Sequence, residues 1–92
     1  MQHNIRETLA ELYDGELLLL DPPEMYDSCI VGVAHRCGME PVAVYNSTAV
    51  IAALQASGMS EDDANEWFDF NIVGSYVGGR TPLFMTKIEE VV

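Results

Sequence analysis

The stretch that decides the fold is SEDDANEWFDFNIVGSYVG, Ser60–Gly78. Ser60 can cap a helix, and Asp63 follows three residues later in the manner of a capping box. The acids Glu61–Asp63 fill the first turn, where the helix dipole favours negative charge. Apolar residues then recur at the spacing i, i+3, i+4 and i+8: Ala64, Trp67, Phe68 and Ile72. This pattern predicts a helix over 60–72 with these four side chains facing the core.

The same helix carries an acidic face. Asp62, Glu66 and Asp69 stand at i, i+4 and i+7, so their side chains are neighbours. With no Lys or Arg among them, they repel by a few tenths of a kcal/mol per pair. The face is either a solvated surface or a partner-binding surface, and the spacing alone leaves both interpretations open.

The N-terminal segment repeats this acidic spacing. Glu7, Glu11 and Asp14 also stand at i, i+4 and i+7, on a predicted first helix that Gly15 ends. This helix is expected to lie on the outside of the domain. Its acids are therefore a second candidate surface for a partner.

The charge balance restricts the partners. Fifteen acids against four bases give a net charge of −11, which repels phosphate backbones and anionic membranes and attracts basic proteins. Direct binding to nucleic acid is therefore not expected. No apolar run is long enough to span a membrane, and no secretion signal is visible. We expect a cytoplasmic protein whose two cysteines are free thiols.

The chain of 92 residues is expected to form one domain, 1–92, and its 49% apolar share is ample for a core. The segment from Tyr26 to Tyr45 has two interpretations. A hairpin is favoured, because the β-prone runs Cys29–Ala34 and Val42–Tyr45 flank the turn-forming Gly38. The alternative is a helix from the Pro22–Pro23 pair to Cys37, followed by a strand.

Two further elements complete the predicted fold. Asn46–Thr48 caps a helix over Ala49–Ala56, and Leu83–Met85 forms a short final strand. The predicted class is α+β: a short antiparallel sheet of two or three strands packed on two to three helices. The helices around 47–57 and 60–72 supply the core contacts.

Cys29, His35 and Cys37 suggest a metal or thiol site. They would share one face if 29–37 were a strand. Zinc normally requires four ligands, however, and the only other histidine is His3. We therefore predict no metal, no cofactor and no catalytic residue, and a protein that is not an enzyme. A small-molecule or metal site around these three residues and Tyr76, as in a cryptic enzyme, is the alternative.

Several short motifs between Asp27 and Phe84 occur together in one known family. They are Ile30–Ala34, Arg36–Gly38, Tyr45, Gly58–Ala64, Trp67–Asn71, Gly74–Gly78 and Thr81–Phe84. In these motifs the chain resembles small, largely uncharacterised proteins encoded by phages and prophage-bearing bacteria. The resemblance implies an origin rather than an activity, because small acidic phage proteins are often accessory factors that bind host machinery.

These observations favour a non-enzymatic, acidic protein-binding module. The expected class is a phage accessory protein or an inhibitor of host nucleic-acid-handling machinery, of the anti-CRISPR or DNA-mimic type. The expected partner is a basic host protein, contacted by Asp62, Glu66, Asp69, Glu7, Glu11 and Asp14. A third interpretation is a structural homo-oligomer that associates through an apolar patch at Leu17–Leu20 or Val31–Val33.

Overall fold

The computed structural model describes residues 5–74 and 78–91. The first part of the chain forms α1 (Ile5–Tyr13), α2 (Pro23–Tyr26), a 3-10 helix (Asp27–Cys29), β1 (Ile30–Ala34), β2 (Val42–Asn46) and α3 (Ser47–Ala56). The second part forms α4 (Glu61–Trp67), a π-helix (Phe68–Val73), β3 (Leu83–Met85) and α5 (Ile88–Val91). The predicted α+β class is confirmed.

The three strands form one mixed sheet in the order β1-β2-β3. β1 and β2 are an antiparallel hairpin in which Ile30 pairs with Tyr45 and Ala34 with Val42, so the favoured interpretation of this segment is confirmed. β3 pairs with β2 in parallel, which corrects the expectation of an antiparallel sheet for the third strand. The reason is the connection: α3, α4 and the π-helix form a crossover that returns the chain to the sheet in the same direction.

The helix caps predicted at Asn46 and Ser60 are formed. The Asn46 side-chain oxygen accepts a hydrogen bond of 2.9 Å from the Ala49 amide at the start of α3. The Ser60 hydroxyl oxygen accepts one of 3.1 Å from the Asp63 amide at the start of α4. Each cap satisfies an amide that the first turn of a helix leaves without a partner. The first residue of both helices is thus determined by local sequence.

The helix that begins with α4 widens into the π-helix. The Gly74 amide donates to the Asp69 carbonyl at 3.0 Å, a bond between residues five apart. Ala64, Phe68 and Ile72 are all buried, at a spacing of four residues. That spacing exceeds the 3.6 residues of an α-turn, and the wider π-turn keeps Ile72 on the buried side. Trp67 is 45% exposed, so its predicted place in the core was wrong.

The centre of the core is Tyr45 on β2, which is fully buried. Its hydroxyl oxygen accepts a hydrogen bond of 2.7 Å from the Leu20 amide, in the segment before α2. Its ring lies 5.8 Å from that of Phe84 on β3, and Phe84 makes an edge-to-face contact with Phe68 at 5.4 Å. Burial raises the pKa of the Tyr45 phenol, which therefore stays neutral. One side chain thus connects three parts of the fold.

The outer helix α1 is attached by Arg6. The guanidinium donates to both carboxylate oxygens of Asp27, at 2.9 and 3.1 Å, and to the Leu20 carbonyl at 2.8 Å. The hydrogen bond to Asp27 raises the pKa of Arg6, so the guanidinium stays protonated. Leu9 is buried beneath the helix. Leu20 is therefore held from both sides, through its carbonyl by Arg6 and through its amide by Tyr45.

Replacing Tyr45 with phenylalanine keeps the ring and removes the acceptor for the Leu20 amide. We expect Tyr45→Phe to lower the free energy of unfolding by about 1–2 kcal/mol, because a partly buried amide then lacks its hydrogen bond. Urea denaturation followed by circular dichroism measures this change. Tyr13→Phe, at a half-buried tyrosine on α1, is the control. Equal unfolding midpoints for wild type and Tyr45→Phe would contradict the role given to the hydroxyl.

Candidate partner-binding surface

The acids of α4 and the π-helix are all exposed: Glu61, Asp62, Asp63, Glu66 and Asp69. None of the ion pairs found between the described residues involves these five carboxylates. Their charge is therefore directed to solvent rather than neutralised by the fold. This agrees with the exposure that the sequence predicted for Asp62, Glu66 and Asp69.

Two of the four basic side chains form ion pairs elsewhere in the structure. Arg6 binds Asp27 and lies 3.6 Å from Asp21. Arg80 lies 3.6 Å from Glu16 and 3.8 Å from Glu40. Arg6 thus connects α1 to the 3-10 helix, and Arg80 connects the segment before β3 to the loops that contain Glu16 and Glu40. Neither set of ion pairs includes a carboxylate of α4 or the π-helix.

A groove of about 520 Å³ runs along the outer side of α4 and the π-helix. It is lined by Met59, Asp63, Glu66, Trp67, Phe70 and Asn71. The last five stand at i, i+3, i+4, i+7 and i+8, a spacing that places them on one helical face. We call these six residues the acidic–aromatic groove.

The acidic–aromatic groove combines apolar area with negative charge. Phe70 is 75% exposed and Trp67 45% exposed, whereas Met59 is partly buried and packs against the core. Large aromatic side chains of this kind are enriched at the centres of protein interfaces. The carboxylates of Asp63 and Glu66 stand beside them. The arrangement suits a partner that offers both positive charge and apolar contact.

Sequence reasoning identified only part of this surface. Of the three predicted acids, Glu66 lines the groove, while Asp62 and Asp69 are exposed but do not line it. Asp63 was assigned only to the first turn, and Trp67 to the core. The sequence did contain a signal for the groove. Positions 63, 66, 67, 70 and 71 have helical spacing and therefore define a second face of the same helix.

The acids predicted for the N-terminal surface are also exposed. Glu7 and Glu11 lie on α1, but Asp14 lies after the helix, where its φ of 54° turns the backbone left-handed. Asp14 therefore does not extend the helical face of the other two. α1 packs against the 3-10 helix, whereas α4 packs against α3. The two acidic surfaces thus belong to different parts of the fold.

The structure does not bring Cys29 together with His35 and Cys37. Cys29 is buried in the 3-10 helix, while the other two are exposed in the loop of the hairpin. β1 spans only Ile30–Ala34, so the shared strand face does not exist. Burial raises the pKa of the Cys29 thiol, which makes it a poor nucleophile. Within the described residues, no group of three His, Cys, Asp or Glu side chains could hold a metal ion. Tyr76 lies outside the described residues.

A second cleft, of about 580 Å³, lies between the hairpin loop and β3. Its lining includes His35 and Met39 from the loop, Val42 from β2, and Pro82 and Leu83. The volume falls in the range of small-molecule sites, and most of these walls are apolar. This cleft is the feature on which the alternative small-molecule interpretation depends.

Comparison of the chain with protein-family models, curated proteins and solved structures gives no match. Across residues 5–74 and 78–91, no helix combines the length and the apolar character that crossing a bilayer requires.

The acids of α4, which form no ion pair with another described residue, should lower stability at low salt. Glu66→Lys places a cation beside Asp62 and Asp69, at i−4 and i+3, and we expect the free energy of unfolding to rise by about 0.5 kcal/mol. Urea denaturation at low ionic strength measures this rise. Glu66→Gln should give a smaller one, and salt near 1 M should abolish both, because screening then acts over about 3 Å. A loss of stability at low salt would contradict the account of this face.

Proposed function

We propose that the protein is a non-enzymatic protein-binding module that engages a basic partner through the acidic–aromatic groove. The single observation that carries this proposal is that groove. It places two exposed aromatic rings beside carboxylates that form no ion pair with another described residue. Apolar area supplies binding energy, and unneutralised charge steers association with a cationic surface.

The proposed partner is a basic host protein that handles nucleic acid. A surface that holds DNA or RNA is cationic, so it attracts a chain of net charge −11 that itself repels nucleic acid. The resemblance to small phage and prophage proteins supports an accessory factor or inhibitor, of the anti-CRISPR or DNA-mimic type. In such an inhibitor, Asp62, Glu66 and Asp69 extend the negative surface around the groove, and Glu7, Glu11 and Asp14 form a second contact area.

A small-molecule site in the cleft between the hairpin loop and β3 is the second candidate function. It is favoured by the apolar walls around Met39, Val42 and Leu83 and by the volume of about 580 Å³. His35 would supply a polar contact at its edge. A homo-oligomer is the third candidate, through the half-exposed Leu18 or Val31.

Two charge variants test the proposal. The first is Asp62→Asn/Glu66→Gln/Asp69→Asn, and the second, matched in lost charge, is Glu7→Gln/Glu11→Gln/Asp14→Asn. Each removes three carboxylates, but only the first lies on the helix that carries the groove. We expect the first to weaken binding of a basic nucleic-acid-binding protein by about tenfold and to flatten its salt dependence, because steering charge is lost. The second variant should weaken binding of the same protein by about twofold to threefold, because its acids make only peripheral contacts.

The measurement is affinity capture from nuclease-treated host lysate, followed by titration of the purified target at several salt concentrations. Addition of the target's own nucleic acid should release the captured protein if the surfaces compete. Equal capture by wild type and the first variant would overturn the proposal. Equal weakening by both variants would show that total charge, rather than the groove-bearing helix, determines binding.

A further inference from the structure

The acidic–aromatic groove contains two carboxylate–ring pairs. Asp63 precedes Trp67 by four residues, and Glu66 precedes Phe70 by four. Side chains four apart on a helix are neighbours, so each ring has a carboxylate beside it on the wall of the groove. None of the ion pairs between described residues occupies either carboxylate. The groove thus offers the same pair of chemical groups twice along its length.

A carboxylate beside an aromatic ring matches the chemistry of arginine. The planar guanidinium stacks on an aromatic ring while its N–H groups donate in parallel to a carboxylate. A lysine ammonium is a compact, strongly hydrated point charge, so it gains the ion pair and little of the stacking. The exposed side chains of Trp67 and Phe70 therefore distinguish the two cations in a way that carboxylates alone do not.

We propose that this groove binds an arginine-bearing segment of a basic protein, with one guanidinium at the Asp63–Trp67 pair and another at the Glu66–Phe70 pair. This inference rests on the proposed function and specifies the chemistry of its partner. A second copy of this chain does not fit this groove, because the carboxylates of Asp63 and Glu66 would then face a chain of net charge −11. Charge complementarity thus selects a cationic occupant, and the exposed rings select arginine.

The single tryptophan of the chain, Trp67, reports binding directly. Its emission is recorded while the full-length protein is titrated with a short peptide that carries several arginines and an apolar residue. A second peptide has lysine at every arginine position and is otherwise identical. We expect the arginine peptide to shift the Trp67 emission and to bind about fivefold more tightly than the lysine peptide.

Phe70→Ala separates stacking from charge, because it removes a ring and keeps every carboxylate. This substitution should weaken binding of the arginine peptide by about fivefold and binding of the lysine peptide by about twofold at most. Leu12→Ala, at a side chain on α1 that is 68% exposed, is the matched control and should change neither affinity. Circular dichroism verifies that both variants are folded, and Phe70 is exposed enough for its removal to leave the core intact.

Equal affinity of the two peptides, with Phe70→Ala without effect, would overturn the arginine inference. The proposed acidic interface would then still be tested independently, by the binding of the charge variants to the captured protein. Absence of binding by either peptide would also overturn the inference. A Trp67 emission that changes with protein concentration alone would show that a second copy fills the groove, and would overturn it as well.

Discussion

The structure depends on the hydrogen bond between the buried Tyr45 hydroxyl and the Leu20 amide. This hydrogen bond joins the middle strand, β2, to the segment before α2. In that segment, the Leu20 carbonyl also accepts a hydrogen bond from Arg6. The Tyr45 ring also lies close to the ring of Phe84. Phe84 in turn makes an edge-to-face contact with Phe68, the first residue of the π-helix. A small domain has few buried residues, so one side chain that serves the hairpin, the N-terminal segment and the crossover has a large share in stability.

The same core determines which face of α4 and the π-helix is free. Phe68 and Ile72 must both reach the sheet side, and the wider π-turn allows this at a spacing of four residues. Trp67 and Phe70 are left on the outer side, next to carboxylates that no described ion pair neutralises. Aromatic surface exposed to water costs free energy in the isolated protein. A partner that covers this surface removes that cost.

Local chemistry made much of the fold predictable. The caps at Asn46 and Ser60 and the hairpin after Cys29 follow from residue types within a few positions of one another. The parallel pairing of β3 and the exposure of Trp67 were not predictable, because both depend on contacts between distant segments. The prediction used an α-helical period throughout residues 60–72, whereas the π-turn changes that period. The acids were therefore predicted as a surface, but the aromatic half of the groove was missed.

The most direct test of the account is amide hydrogen exchange of the full-length protein, free and bound to the basic partner identified by capture. We expect slower exchange upon binding over residues 59–71, while exchange in the loop 35–41 and in β3 stays unchanged. Slower exchange confined to that loop and β3 would place the partner at the second cleft. That result would contradict the assignment of the acidic–aromatic groove as the binding surface.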